Sequence, residues 1–205
     1  MKSLLLIGGG GHCRSCIDVI EATGQFEIAG IVDRNGVCNT DSMAYPLLGN
    51  DDDLPRLVKK YCSALVTVGQ MRCTGVRMRL FEMLNELEAD LPVIVSPQAY
   101  VSRHAHVSAG TIVMHSALIN ANARIGENCI INSQALIEHD AIVEPHCHIS
   151  TGAKVNGGAS IEMGTFIGSG AVIREGIRIG INCVIGAGAV VLGDLPAGTV
   201  FRSKV

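Results

Sequence analysis

Residues 123–149 read ARIGENCIINSQALIEHDAIVEPHCHI, and within them Ile125, Ile131, Ile137, Val143 and Ile149 stand six apart. Stepping outward at the same interval, every position from Val95 to Val191 is Val or Ile, seventeen in an unbroken row. Two residues before each of them, from Ala99 to Ala189, stands Ala, Cys or Thr, with Ile177 the single exception. A period of six drifts around a 3.6-residue helical turn, and a plain strand repeats every two residues. Short parallel strands joined by tight corners do fit: three hexads close a triangular coil, and coils stack at the strand spacing of roughly 4.8 Å. The β-branched residue then fills the interior and the small one sits near a corner. Seventeen hexads at three per coil give between five and six coils. Gly126, Gly168, Gly180 and Gly186 directly follow the aliphatic, where a bend with permissive dihedrals is expected.

The whole chain has 205 residues and a formal net charge of −3, too nearly neutral for a nucleic-acid surface built on bulk positive charge. Apolar residues make up 48% and aromatics 3%, with no Trp, so the chain folds around an aliphatic core. No apolar run reaches the ~18 residues of a membrane span, and Leu4 to Ile7 stops at glycines too early for a signal peptide. A cytoplasmic protein is expected. Its eight Cys are then reduced thiols used as small apolar residues, and Cys13 and Cys16 form an isolated CxxC.

The first half alternates differently. Lys2 to Ile7 reads as a strand, Gly8-Gly9-Gly10-Gly11 as a turn, His12 to Thr23 as a helix, and Glu27 to Val32 as a strand ending at Asp33. This is the layout of a nucleotide-binding βαβ unit, although Cys13 takes the third glycine place of GxGxxG. Leu54 to Tyr61 reads as helix, Ala64 to Val68 as a strand ending at Gly69, and Arg72 to Leu87 as a helix with apolar spacing at Val76, Leu80, Met83, Leu84 and Leu87. Arg72, Arg77 and Arg79 fall on its polar face, where they approach a phosphate or simply meet water. Two domains follow: residues 1–92, an α/β Rossmann-like unit, and residues 93–205, a parallel solenoid.

A short Rossmann-like domain opening with Gly-Gly-Gly-Gly-His, followed by hexads carrying Ile137-Glu138-His139-Asp140, resembles the bacterial sugar acetyltransferases with a left-handed parallel β-helix. These include the nucleotide-sugar N-acetyltransferases of the bacillosamine and perosamine type and the sialic-acid O-acetyltransferases. The likeness departs at the end of the chain, which reads Val200-Phe201-Arg202-Ser203-Lys204-Val205. It implies acetyl-coenzyme A as a cosubstrate, no tightly bound cofactor or metal, and a homotrimer with sites between subunits.

Acyl transfer needs a base for the nucleophile's proton, and His139 between Glu138 and Asp140 is suited to it, since a carboxylate can raise its basicity and fix its tautomer. The resemblance makes His139 the catalytic base and Asp140 the acid that sharpens it. Asn132 falls near the acceptor, His148 near the thioester, and Gly157, Ser169 and Ala187 along the coenzyme. In the first domain Gly10, Gly11 and His12, then Asp33 with Arg34, then Gly69, match positions that contact the nucleotide sugar. His146, His104 and His106 read as solvent-facing, since an HxH pair without a third ligand is weak for metal. Cys129, Cys147 and Cys183 lie in the small-residue row, so direct attack is expected rather than an acyl-enzyme.

The function expected is acetyl transfer to the amine of a UDP-linked 4-amino sugar. Transfer to a hydroxyl of sialic acid is the near alternative. An NAD-dependent oxidoreductase, or a sugar-nucleotide-binding protein without chemistry, are the rivals from other classes.

Overall fold

The computed structural model describes residues 1–34, 44–71 and 74–202. Arg72 and the Ser203-Lys204-Val205 end lie outside the described residues.

A parallel four-stranded sheet forms the first domain. Its strands β1 (Lys2–Ile7), β2 (Phe26–Val32), β3 (Leu47–Gly49) and β4 (Ser63–Val66) lie in the order β3-β2-β1-β4. The run Leu4-Leu5-Leu6-Ile7 is buried on both faces, as a strand covered on two sides must be. Leu4 and Leu6 pack on Cys13, Cys16, Val19 and Ile20 of α1 (Gly11–Thr23). Leu5 and Ile7 pack on the other side against α2 (Leu54–Tyr61) and α3 (Gly75–Glu86).

From Ile94–Val95 to Val200–Phe201 the chain forms two-residue strands that wind into a left-handed parallel β-helix with three sheets. Strands eighteen residues apart pair in register, as Ile112↔Ile130↔His148 and Leu118↔Leu136↔Lys154 show. The second residue of each strand points inward and the interior row from Val113 to Val191 is essentially solvent-free. Burying each such side chain is worth roughly 1.5–3 kcal/mol, and this row holds the solenoid together without aromatics. Ile177, the large residue in the small row, joins the same core.

The first residue of each strand faces outward, and the three sheets differ there. The first sheet carries Ile94, Ile112, Ile130, His148, Phe166, Val184 and Val200; the second Tyr100, Leu118, Leu136, Lys154, Val172 and Val190; the third His106, Arg124, Ile142, Ser160 and Arg178. Ile94, Ile112 and Ile130 merge with the core under α1, so the first domain docks on the first sheet.

Three expectations need correction. The positive-φ corner is not at Gly126, Gly168, Gly180 or Gly186: it recurs every sixth residue from Gly110 to Gly188 and holds Ser116, Asn122, Asn128, Gln134, Asp140, His146 and Asn182 as well as glycines. Gly126, Gly168 and Gly180 are required by close approach, since a Cβ there would come within 2.5–2.6 Å of backbone nitrogens of Pro145, Ala187 and Ala197 on the next coil. The buried face of α3 is Arg77, Leu80, Phe81 and Leu84, with Val76 turned to solvent, because the docked solenoid covers a side that the helix's own spacing does not mark. Arg77 therefore does not meet water, and Arg79 pairs with Asp51 at 2.9 Å. His146 is likewise buried, edge-on to Phe81, rather than solvent-facing.

Candidate active site

His139 and Asp140 occupy the corner between the second and third sheets. Asp140 is the positive-φ residue of that corner, at 60°, a conformation a short acidic side chain tolerates better than most. Its Oδ2 accepts from His139 Nδ1 at 2.8 Å, and its Oδ1 accepts from Asn122 Nδ2 at 2.6 Å. On the neighbouring strand end Glu138 accepts from Asn120 Nδ2 at 2.8 Å and from the His139 amide at 3.2 Å. The Asp140 hydrogen bond raises the His139 pKa above the usual imidazole value, and the charges of Asp140 and Glu138 add to it. Asp140 is held below the usual carboxylate range by Asn122 first and His139 second. With Nδ1 donating to a carboxylate, the neutral ring carries its lone pair on Nε2. That nitrogen lies over Gly157, where an added Cβ would stand 2.8 Å from both Nε2 and Cε1.

A second group lies where α1 and the end of β4 meet the first sheet. Gly8 has φ 109° and no room for a Cβ, which would strike Val68. Gly10 and Gly11 open α1, with no side-chain cap, and a Cβ on either meets nothing within 4 Å. Packing thus does not require glycine at either. Asp33 Oδ2 accepts from the Gly9 amide at 2.7 Å and ties the strand end to the glycine turn. Arg34 lines a hollow of about 430 Å³ with Asn50, Asp51, Asp52, Val76 and Arg79. Gly69 lies against His12, a Cβ there falling 3.3 Å from the His12 Cβ.

His148 is buried at this seam. Its Nδ1 donates to the Gln70 carbonyl at 2.6 Å, and its Nε2 accepts from Asn132 Nδ2 at 3.1 Å, whose Oδ1 is fixed by the Ser133 amide at 2.8 Å. In this arrangement neither nitrogen has a proton to give outward. Burial lowers its pKa to about 4, against the Gln70 bond and with the help of Arg77. His12, its ring 6.4 Å from that of His148, is lowered to about 3 by burial, Arg77 and His148. Phe166 stands edge-on to His148 at 5.2 Å and continues into a groove of about 490 Å³ lined by Met71, Val184, Ile185, Gly186, Val200, Phe201 and Arg202.

Among the predicted residues, the structure brings His139, Asp140 and Gly157 together at one corner. It brings Gly10, Gly11, His12, Asp33 and Gly69 together at the tips of the first domain's strands, with His148 near His12 and Asn132 bonded to His148. Ser169, bonded to Ser150 Oγ at 2.9 Å, and Ala187 follow at the corner between the first and second sheets. The His139 corner and the His12 seam lie at opposite edges of the second sheet. Sequence reasoning missed Asn120 and Asn122, one coil before the residues they hold, and Gln70, and it placed Arg77 on a polar face. The eighteen-residue coil was the signal for the two asparagines; nothing local marked Gln70 or the burial of Arg77. Cys13, Cys16, Cys129, Cys147 and Cys183 are all buried, and burial pushes the Cys129 thiol up to about 12, which suits packing rather than nucleophilic chemistry. Among the described residues no group of His, Cys, Asp and Glu is placed to hold a metal, and no helix is long and apolar enough to cross a membrane.

Residues 3–84 match the PglD N-terminal domain, and residues 122–157 and 158–193 each match the bacterial transferase hexapeptide unit of six repeats. No curated protein sequence matches the chain. Among solved structures, the perosamine N-acetyltransferase of Caulobacter crescentus, a histidine-to-asparagine mutant in complex with CoA and GDP-perosamine, is 31% identical. The match covers 97% of this chain and 92% of that one, with a TM-score of 0.90. The acetyltransferase domain of PglB from Neisseria gonorrhoeae, in complex with acetyl coenzyme A, is 30% identical over 96% of this chain and 94% of that one, with a TM-score of 0.88. WeeI from Acinetobacter baumannii, 21% identical with a TM-score of 0.83 over 97% and 95% of the two chains, shares the fold. The chain belongs to the hexapeptide-repeat, acetyl-coenzyme A-dependent sugar N-acetyltransferases.

Proposed function

We propose that this enzyme moves the acetyl group of acetyl-coenzyme A to the amine of a UDP-linked 4-amino sugar by direct attack, with His139 as the general base. The observation that carries this reading is the Asn122–Asp140–His139 chain, which leaves the Nε2 lone pair over Gly157. The neutral amine attacks the thioester carbon, Nε2 takes the amine proton as the C–N bond forms, and the thiolate leaves with the sulfur electrons and is protonated. The products are the acetamido sugar and coenzyme A thiol. A positioned base of this kind contributes about 10²–10⁴-fold.

The glycine turn and α1 N-terminus suit a diphosphate, because Gly10 and Gly11 admit close approach and the helix start favours negative charge. Asp33 and Arg34 then lie toward the nucleoside. Asn132 stands at the acceptor end of that track with His148 bonded to it near the thioester, and Ser169 and Ala187 offer backbone along the coenzyme.

Because the His139 corner and the His12 seam flank the second sheet from opposite edges, one chain does not complete the site. A homotrimer does: the outward row of the second sheet, apolar except for Lys154 and with Tyr100 60% and Val190 52% exposed, packs on a neighbouring copy whose His139 meets the first chain's acceptor domain. This reading places the enzyme in the cytoplasm, where a pool of acetyl-coenzyme A is at hand.

The test is coenzyme A thiol release from acetyl-coenzyme A with a UDP-4-amino sugar, GDP-perosamine and sialic acid in parallel. Release with the UDP amino sugar supports the reading. Release with GDP-perosamine alone moves the nucleotide to GDP, and release with sialic acid alone overturns amine transfer.

A further inference from the structure

Arg77 is buried to 1% exposure at the seam between the two domains, and among the described residues no carboxylate pairs with it. Its guanidinium bonds only to main-chain carbonyls, through Nε and Nη1, and its buried Nη2 has no partner among the described residues. Nη1 donates to Val66 O at 2.7 Å and Val68 O at 2.9 Å, and Nε donates across the seam to Asn128 O at 3.2 Å. Asn128 returns a bond from Nδ2 to the Arg77 carbonyl at 3.4 Å and donates to His146 Nδ1 at 2.9 Å. A buried cation held only by carbonyls is costly to keep, so a role in packing alone is a poor account of it.

The two carbonyls on the first-domain side straddle the end of β4. The chain runs from them directly into Gly69, which abuts His12, and Gln70, whose carbonyl receives the His148 Nδ1 proton while its Nε2 reaches Gly164 O at 3.4 Å. From His148 the chain of bonds continues to Asn132 and the Ser133 amide. One planar fork therefore fixes the strand end and the solenoid corner relative to each other, and everything between His12 and Asn132 inherits that placement. Lysine, a point charge on a flexible stem, cannot satisfy three carbonyls in this geometry.

We propose that Arg77 is a positioning residue for the transfer reaction: it sets the Val66–Gln70 segment against the solenoid and so aims the Gln70–His148–Asn132 chain at the acceptor. This rests on the reading that places Asn132 near the acceptor amine and His148 near the thioester it attacks. The groups around the guanidinium are Cys16 of α1, Cys129 of the solenoid, and the His12, His146 and His148 rings, whose pKa values its charge helps to lower.

The experiment uses the full-length protein with Arg77→Met and Arg77→Lys, read by steady-state kinetics and by ¹⁵N NMR of the His148 ring without substrate. In the parent protein His148 is a single neutral tautomer protonated at Nδ1. Arg77→Met lowers kcat by about 10- to 100-fold, in line with misplacement of the order of 1 Å, and leaves KM for acetyl-coenzyme A unchanged. Its His148 shows mixed tautomers, and Arg77→Lys lies between it and the parent in both readouts. Unchanged kcat and an unchanged His148 signal, with only a lowered melting temperature, overturn the proposal. If Arg77→Met does not fold, Arg77→Lys decides: full activity with the parental His148 signal overturns it equally. The NMR readout needs no turnover, so it stands even where the acceptor assignment fails.

Discussion

Asp140 accepts the Nδ1 proton of His139 at 2.8 Å from the one position of its hexad with positive φ, so the strained corner and the base are the same structural feature. Asp140→Asn removes the interaction that raises the His139 pKa most. A base must be neutral to act, so the acidic limb of the kcat/KM profile, which lies above the usual imidazole value in the parent enzyme, shifts to lower pH. The plateau falls as well, because the amide no longer selects the Nδ1–H tautomer. A profile measured from pH 5 to 9 checks both; a plateau that falls with no shift of the limb would argue against the coupling.

Gly157→Ala tests the ring's position without touching its chemistry. The backbone there is not in the left-handed region, yet the new Cβ would lie 2.8 Å from the imidazole. Stability should change little while kcat drops by about 10- to 100-fold, since a displacement of about 1 Å is enough to cost that much. Parallel melting curves and turnover measurements separate the two effects.

The interior and corner glycines should behave in opposite ways. Gly168→Ala places a Cβ 2.6 Å from backbone of the next coil and should cost more than about 3 kcal/mol, the range of severe packing defects. Gly158→Ala, at φ 66° with open space around it, should cost only about 1–2 kcal/mol. Urea midpoints of the two variants give the ranking.

His148 makes stability depend on pH. It stays neutral in the folded protein down to about 4, whereas the unfolded chain takes up a proton near 6.5. Between those values the unfolded state binds more protons, so stability falls as pH falls. The full effect is about 3 kcal/mol at ~1.4 kcal/mol per unit. Urea midpoints at pH 7 and pH 5 should diverge more for the parent protein than for His148→Gln.

The solenoid was legible because each coil repeats one demand: an inward β-branched residue every six positions, from Val95 to Val191. His139 and Asp140 were legible for a related reason, since their neighbours in sequence are also their partners. Arg77 and His146 were misread because their surroundings are tertiary. The face of α3 that carries Arg77 is buried by Asn128 and its coil, some fifty residues away in sequence, and no local period announces that cover. No local period announces the partners of His115 either: it bridges Ser96 Oγ at 2.6 Å and Asp18 of α1 at 2.8 Å across the seam.

The measurement that bears most directly on the account is the rate of coenzyme A thiol release with a UDP-4-amino sugar at pH 8, for the parent protein against His139→Ala. The account predicts a loss of about 10²–10⁴-fold in kcat with KM for acetyl-coenzyme A little changed. Turnover by His139→Ala at the parental rate would contradict it and move the proton transfer to another group.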